Sequence, residues 1–222
     1  MIPKRLVQTF RCKDVGELFQ YNVDTLRARN PEWAYELHTH DQMVSFVESE
    51  CDTRVSRAFK RINEPYWVGR ADFFRYLYMY RHGGVYLDIK SNCKEPLDNL
   101  LLFDDEYLLS YWHLRGWGYH KELGDGPGSF QQWHVITRAS HPFLKAVIEK
   151  CLQAIDSYDP MKAGVGRQGV YLTTGPIVYT LAIREILEQH PRRFVDWRNV
   201  GLEYSTIGTT THRRAFGTHY SV

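Results

Sequence analysis

The run Arg81-His82-Gly83-Gly84-Val85-Tyr86-Leu87-Asp88-Ile89-Lys90-Ser91-Asn92 restricts how this chain can fold more than any other stretch. A glycine pair ends a helix well, because glycine takes the positive φ that a helix C-terminus favours. Three strand-forming apolar residues follow, so Val85 to Leu87 reads as a buried strand. A helix stop, a glycine joint and a buried strand are parts of an α/β unit. Asp88 then stands at the strand's carboxyl end, the edge of an open α/β sheet where ligands bind.

Short apolar runs alternate with helical patterns to about residue 187, with no internal repeat. Arg5 to Phe10 is expected as the first strand and Trp33 to His38 as the second. Between them Asp14 caps a helix over Val15 to Arg29, with Leu18, Phe19, Tyr21, Val23 and Leu26 apolar, ended by Asn30-Pro31. Helical material from Asp41 or Ser45 continues with breaks to Ile62, and a helix from about Gly69 reaches Arg81. Glu106 to Tyr111 and Phe130 to Thr137 are strand candidates, separated by a Gly-rich loop from Gly116 to Gly128. His141-Pro142 opens a helix to about Asp156, and Gly175-Pro176 opens another to Gln189.

With 222 residues and 43% hydrophobic content the chain can bury one sizeable core, so residues 1–222 read as a single α/β domain. Twenty-eight basic against 26 acidic residues give a net charge of +2, too balanced for a protein that binds by neutralising a phosphate backbone; nucleic acid is not an expected partner. The opening MIPKRLVQTF lacks an apolar core, and no run of ~18 apolar residues occurs. A cytoplasmic protein, at most peripheral at the membrane and with no stable insertion, is expected. Cys12, Cys51, Cys93 and Cys151 are scattered without zinc or redox spacing and read as reduced thiols.

Asp72 and Arg75 are three apart and share a helix face just upstream of Asp88. Alone they read as a surface ion pair, and Asp88 alone as a turn cap. Together they offer a hydroxyl acceptor, an anion clamp and a carboxylate that can hold a divalent cation. Trp112, Trp117 and Trp133 are candidates for either an acceptor groove or the core.

Arg70-x-Asp72-x-x-Arg75-Tyr76-Leu77 followed by Gly83-Gly84-Val85-Tyr86-Leu87-Asp88 resembles the sugar-binding, DXD-containing region of glycosyltransferase family 32, a family related to the glucosylating domains of large clostridial toxins. Ile2-Pro3-Lys4, Gln8-Thr9-Phe10, Asn30-Pro31-Glu32-Trp33, His141-Pro142-Phe143 and Thr174-Gly175-Pro176 agree in order. The resemblance implies a GT-A, Rossmann-like domain with a mixed, mostly parallel central sheet. It implies a retaining transferase that moves a hexose from a UDP- or GDP-linked donor to a glycan, polysaccharide or lipid-linked saccharide acceptor. By the same resemblance Phe10 stacks on the nucleotide base, Gln8 and Thr9 line its pocket, and Asp72 accepts from donor-sugar hydroxyls. Arg75 holds the sugar or diphosphate, Asp88 is the first acid of the DXD motif, and Gln132 stands where the family often has Asn.

The departure is Lys90, which replaces the second acid; an ammonium has no lone pair for a cation. Either Asp88 binds Mn2+ or Mg2+ with help from Asn92, a water and a late histidine, or Lys90 itself opposes the diphosphate. The resemblance favours His219 over His212 as that histidine, because Ser221 follows it. Asp72, Arg75, Asp88 and Lys90 are thus the expected catalytic set. The same departure motivates an alternative, a nucleotide-sugar-binding protein that has lost catalysis. A dinucleotide oxidoreductase is disfavoured, since no Gly-x-Gly-x-x-Gly turn follows the first strand.

Overall fold

The computed structural model describes residues 1–112 and 118–207. Strand β1 is Arg5–Thr9, helix α1 Gly16–Arg29, β2 Ala34–His38, α2 His40–Glu50, α3 Thr53–Arg61 and α4 Trp67–His82. Then come β3 Gly84–Leu87, β4 Asn92–Cys93, α5 Leu97–Leu100, β5 Tyr107–Leu109, β6 His134–Thr137 and α6 Pro142–Asp156. Short helices α7 Pro160–Ala163 and α8 Gly166–Thr173 lead into α9 Pro176–Glu185, followed by β7 Arg193–Phe194 and β8 Leu202–Glu203.

Among the described residues six strands form one sheet in the order β2-β1-β3-β6-β5-β7. The pairs β1/β2, β1/β3 and β5/β7 are parallel, while β6 runs antiparallel to β3 and β5. The sheet is therefore mixed and mostly parallel, as expected. Because β6 is reversed, its first residue His134 lies beside Leu87, the last of β3. This brings Gln132 to the tip of β3.

Gly83 and Gly84 make the joint between α4 and β3, at φ 66° and 111°. A Cβ on Gly84 would lie 2.5 Å from the Arg5 carbonyl oxygen, so β1 leaves room for glycine alone. Helices α4, α6 and α9 cover one face of the sheet, and their core includes Val7, Phe73, Tyr86, Phe143 and Tyr179. The other face packs Leu6, Val85 and Leu87 against Leu26 of α1 and Leu97 of α5. His141 caps α6: its Nδ1 accepts from the Phe143 amide, and burial pulls its pKa down to about 4, which keeps the ring neutral.

Several expectations shift. Leu18 and Tyr21 are 41% and 76% exposed, and Asn22 joins Phe19, Val23 and Leu26 on the buried side of α1. Asp14 accepts from the Gly16 amide, so the helix starts one residue late. Thr39, rather than Asp41 or Ser45, caps α2 through a capping box with Gln42. Trp133 is 2% exposed and belongs to the core, not to a groove. Trp117 lies outside the described residues. No helix among the described residues is long and apolar enough to cross a membrane.

Candidate active site

Helix α4 sits between the sheet and the outer helices, and every residue from Ala71 to Met79 is buried. A helix buried all round should be apolar all round, since an unpaired charge in such a place costs several kcal/mol, on the order of its desolvation penalty. Asp72 and Arg75 break that pattern. Arg75 Nη2 meets Asp72 Oδ1 at 2.7 Å, and the two side chains are 5% and 4% exposed. Arg75 Nη1 lies 3.3 Å from Asp88 Oδ1 and donates to the Gln132 backbone carbonyl at 2.7 Å. The guanidinium also stacks on the Tyr86 ring, 4.6 Å from its centroid. One buried cation thus ties the helix, the tip of β3 and the entry to β6.

Burial works against charge on both partners with different results. It pushes the Asp72 carboxyl up to about 7 despite the pull of Arg75, and the Asp88 charge adds to the rise. Arg75 is moved up as well: burial disfavours its charge, but Tyr86, Asp72 and Asp88 outweigh it. Arg75 Nε has no partner among the described residues.

Asp72, Arg75, Asp88 and Gln132 come together as expected. Gln8 and Thr9 do not line a base pocket with their side chains. Gln8 is fully buried, donates to the Asp88 carbonyl at 3.0 Å and accepts from Tyr35 at 3.0 Å; Thr9 pairs with the Tyr86 hydroxyl at 3.0 Å, and that hydroxyl reaches Asp88 Oδ1 at 3.2 Å. Both therefore support the strand tip from within the sheet. Phe10 is half-buried beside Phe19, 5.4 Å between ring centroids, at the edge of the cluster holding Ile89 and Ile207. Arg75 does not offer a free fork to a diphosphate, because its terminal nitrogens are occupied by two carboxylates and a carbonyl. Lys90 turns aside, its Nζ 2.9 Å from the Tyr204 hydroxyl and 4.2 Å from the centroid of that ring.

No group of three His, Cys, Asp or Glu that could hold a metal forms among the described residues. His219, His212 and Ser221 lie outside them. Asn92 is not a ligand in waiting: its Oδ1 accepts from the Cys93 amide at 2.8 Å and from Arg29 at 3.2 Å, and its Nδ2 donates to Asn22 at 2.7 Å. Asp88, with a 24% exposed side chain, is the more accessible of the two carboxylates held by Arg75. Alone it is short of the oxygens that Mn2+ or Mg2+ requires, so a cation there would need further oxygens from outside the described residues.

Two contributors were not read from the sequence. Asn22 donates to the carbonyls of Ile89 and Ser91 at 2.8 and 2.9 Å and accepts from Thr206 at 2.9 Å, so it clamps the loop after Asp88. A polar residue among Phe19, Val23 and Leu26 was the available signal. Tyr76 offered none, because an aromatic on an apolar helix reads as core; its hydroxyl meets Gln132 Oε1 and the Thr174 carbonyl.

Residues 16–106 match the family described as "Glycosyltransferase sugar-binding region containing DXD motif". Over 103 residues the chain is 31% identical to a mannosyl phosphorylinositol ceramide synthase of Saccharomyces cerevisiae, an alignment covering 46% of this chain and 26% of that protein. It is 30% identical over 103 residues to inositol phosphoceramide mannosyltransferase 1 of Schizosaccharomyces pombe, covering 45% and 31%. The chain therefore spans about a third or less of these relatives. Among solved structures, the UDP-bound glycosyltransferase domain from the YGT toxin superposes with TM-score 0.64 at 8% identity, over 98% of this chain and 82% of that one. The PaToxG glycosyltransferase gives 0.59 at 13% identity, over 84% and 70%. The fold is GT-A, and residues 16–106 are similar to glycosyltransferase sugar-binding regions containing a DXD motif.

Proposed function

We propose that this chain is a retaining hexosyltransferase that uses a UDP- or GDP-linked hexose and passes the sugar to a glycan or lipid-linked saccharide. The observation that carries this reading is the buried Asp72–Arg75–Asp88 triangle at the carboxyl end of β3, inside the family-matched segment. Relatives named as mannosyltransferases and a fold shared with a UDP-bound glycosyltransferase domain support it. So does the energetic oddity of a buried acid and arginine in a helix otherwise built for the core, facing a second acid at the strand tip, which marks a site rather than a scaffold.

In this reading Asp72 accepts from a hydroxyl of the donor hexose, and Arg75 holds Asp72 and Asp88 at fixed separation so that neither must reorganise as charge develops. Both carboxylates of the triangle are engaged by Arg75, so in this reading neither serves as nucleophile and the acceptor hydroxyl attacks from the face of the departing diphosphate. The bond from the anomeric carbon to the β-phosphate oxygen breaks, a bond to the acceptor oxygen forms, and the acceptor's proton passes to that phosphate. With two carboxylates to one guanidinium the triangle carries no surplus positive charge, and Lys90 is held at Tyr204. A divalent cation at Asp88 would supply that charge to the diphosphate. The replacement of the second acid by Lys90 favours one rival, a nucleotide-sugar binder without turnover.

Thermal shifts across UDP- and GDP-hexoses with and without Mn2+, followed by donor hydrolysis, test the proposal. Stabilisation by one donor and hydrolysis that Asp88→Ala removes are expected. Stabilisation without hydrolysis would leave the binder, and inversion at the anomeric carbon in the product would end the retaining assignment. In a cytoplasmic setting, a lipid-linked acceptor would bring the enzyme to the membrane surface as a peripheral protein.

A further inference from the structure

The terminal amide of Gln132 hangs between two partners. Its Oε1 faces the Tyr76 hydroxyl, and its Nε2 lies 3.4 Å from Asp72 Oδ2. Tyr76 is held in place: it is fully buried, and its ring stacks on Tyr179 with centroids 5.4 Å apart and planes 14° apart. Its hydroxyl also lies 2.9 Å from the Thr174 carbonyl oxygen. A carbonyl only accepts and a phenol has one proton, so Thr174 O and Gln132 Oε1 compete for a single hydrogen. Turning the amide over lets its NH2 donate to Tyr76 and frees the phenol proton for Thr174. The amide oxygen then faces the Asp72 carboxylate, and again a hydrogen is missing. With Asp72 ionised the row Thr174–Tyr76–Gln132–Asp72 lacks one hydrogen in either orientation, and with the amide turned over the 3.4 Å gap beside Asp72 is the place to insert it. Gln132 is the partly exposed member of the row.

We propose that a hydroxyl of the bound hexose supplies this hydrogen and that Tyr76 is a positioning residue that turns the Gln132 oxygen toward the sugar, so that Asp72 and Gln132 together accept from one hydroxyl. This rests on the transferase reading and deepens it, because it states what the donor must present at one ring position. Tyr76 touches no substrate. It acts by taking an N–H from Gln132 while giving its own proton to Thr174.

A pair of acceptors distinguishes three substituents that an amide NH2 would rank differently. A hydroxyl can donate, fluorine can only accept, and hydrogen does neither. Calorimetric titration of the wild-type protein with nucleoside-diphosphate hexoses, their singly deoxy forms and their singly deoxyfluoro forms is the experiment. At one ring position the parent should bind ~10-fold or more tightly than both analogues, the range expected for losing a hydrogen bond to a charged group, with fluorine no better than hydrogen. In Tyr76→Phe the amide is free to present its NH2, so the fluoro form should gain on the deoxy form at that position. Gln132→Glu, which always shows an oxygen to the sugar, should keep the wild-type ranking even if Tyr76→Phe fails to fold. Fluorine matching hydroxyl in the wild type, an unchanged ranking in folded Tyr76→Phe, or a lost ranking in Gln132→Glu would each overturn the inference alone. A folded wild type that binds none of the nucleotide sugars would overturn the transferase reading and this inference with it.

Discussion

Glu36 on β2 and Asp72 on α4 are both carboxylates held by an arginine and packed against α4, yet their acidities move in opposite directions. Glu36 Oε1 takes Arg5 Nε at 2.7 Å, and its Oε2 takes His38 at 3.2 Å and the Tyr78 hydroxyl. Burial alone would raise it, but hydrogen bonds from His38, Tyr78 and Arg5 prevail and bring it down to about 2. Asp72 is more deeply buried and has fewer partners, and it rises to about 7. A carboxylate whose lone pairs are filled by the protein is a strut. One that burial leaves short of hydrogen-bond donors needs something from outside, and that need separates a site from a scaffold.

The largest effect that can break this comparison is on turnover. Asp88→Ala and Asp72→Asn should each lower kcat/KM for the donor by ~100-fold or more, the range for removing a group that orients charge in the reacting site. Glu36→Gln should leave kcat/KM within about twofold while lowering stability by on the order of 1 kcal/mol, since its side chain is 28% exposed and partly screened. Equal loss of activity at Glu36 and Asp72 would erase the distinction.

Stability against pH sharpens it, with opposite signs. Asp72 binds its proton more tightly folded than unfolded, so its contribution is complete below its ordinary 3.8 and is lost as pH rises through about 7. Glu36 contributes above its ordinary 4.5 and loses that contribution as pH falls through about 2. Denaturant unfolding from pH 3 to 8 should therefore show a downward slope toward neutral pH that Asp72→Asn removes, and a fall at the acid end that Glu36→Gln reduces. The two variants having the same profile would refute the assignment.

The same contrast explains what could be read from residues alone. The helix stop at Gly83, the buried strand β3, Asp88 at its tip and the start of α6 at His141-Pro142 rest on local rules, and local rules are visible in sequence. Asp72 and Arg75 were visible as a pair, but not their depth: only packing on both sides turns a helix-face ion pair into a buried one. The short helix α8 was missed because Gly166 and Gly169 lower helix propensity there and tertiary contact overrides it, and α7 because its four residues are too few to show a helical period. Gln8 and Thr9 lay at the right strand end, yet the side chains of β1 point into the sheet's two covered faces. Which groups they meet depends on Tyr35 and Tyr86, set by strand order rather than by spacing.

Lys90 gives the smallest expected effect and the finest contrast, because it differs from Arg75 in what surrounds it. Arg75 is enclosed, and two carboxylates fix its fork. Lys90 is half-buried in the loop after the strand tip, rests on Tyr204 and can leave that ring for the cost of a partly exposed cation–π contact and one hydrogen bond, ~1 kcal/mol or less for the former. If it stays, Lys90→Met should change donor kcat/KM by less than about fivefold and leave any Mn2+ requirement in place, since the charge facing the diphosphate then comes from elsewhere. If the lysine swings to the diphosphate during turnover, Lys90→Met should cost as much as Asp88→Ala, and Tyr204→Phe, which releases the ammonium, should raise donor affinity. Measuring kcat and KM for both variants with and without Mn2+ separates the two cases, because a lysine that replaces the cation makes its loss and the metal's addition compensate, whereas a lysine parked on Tyr204 leaves them independent.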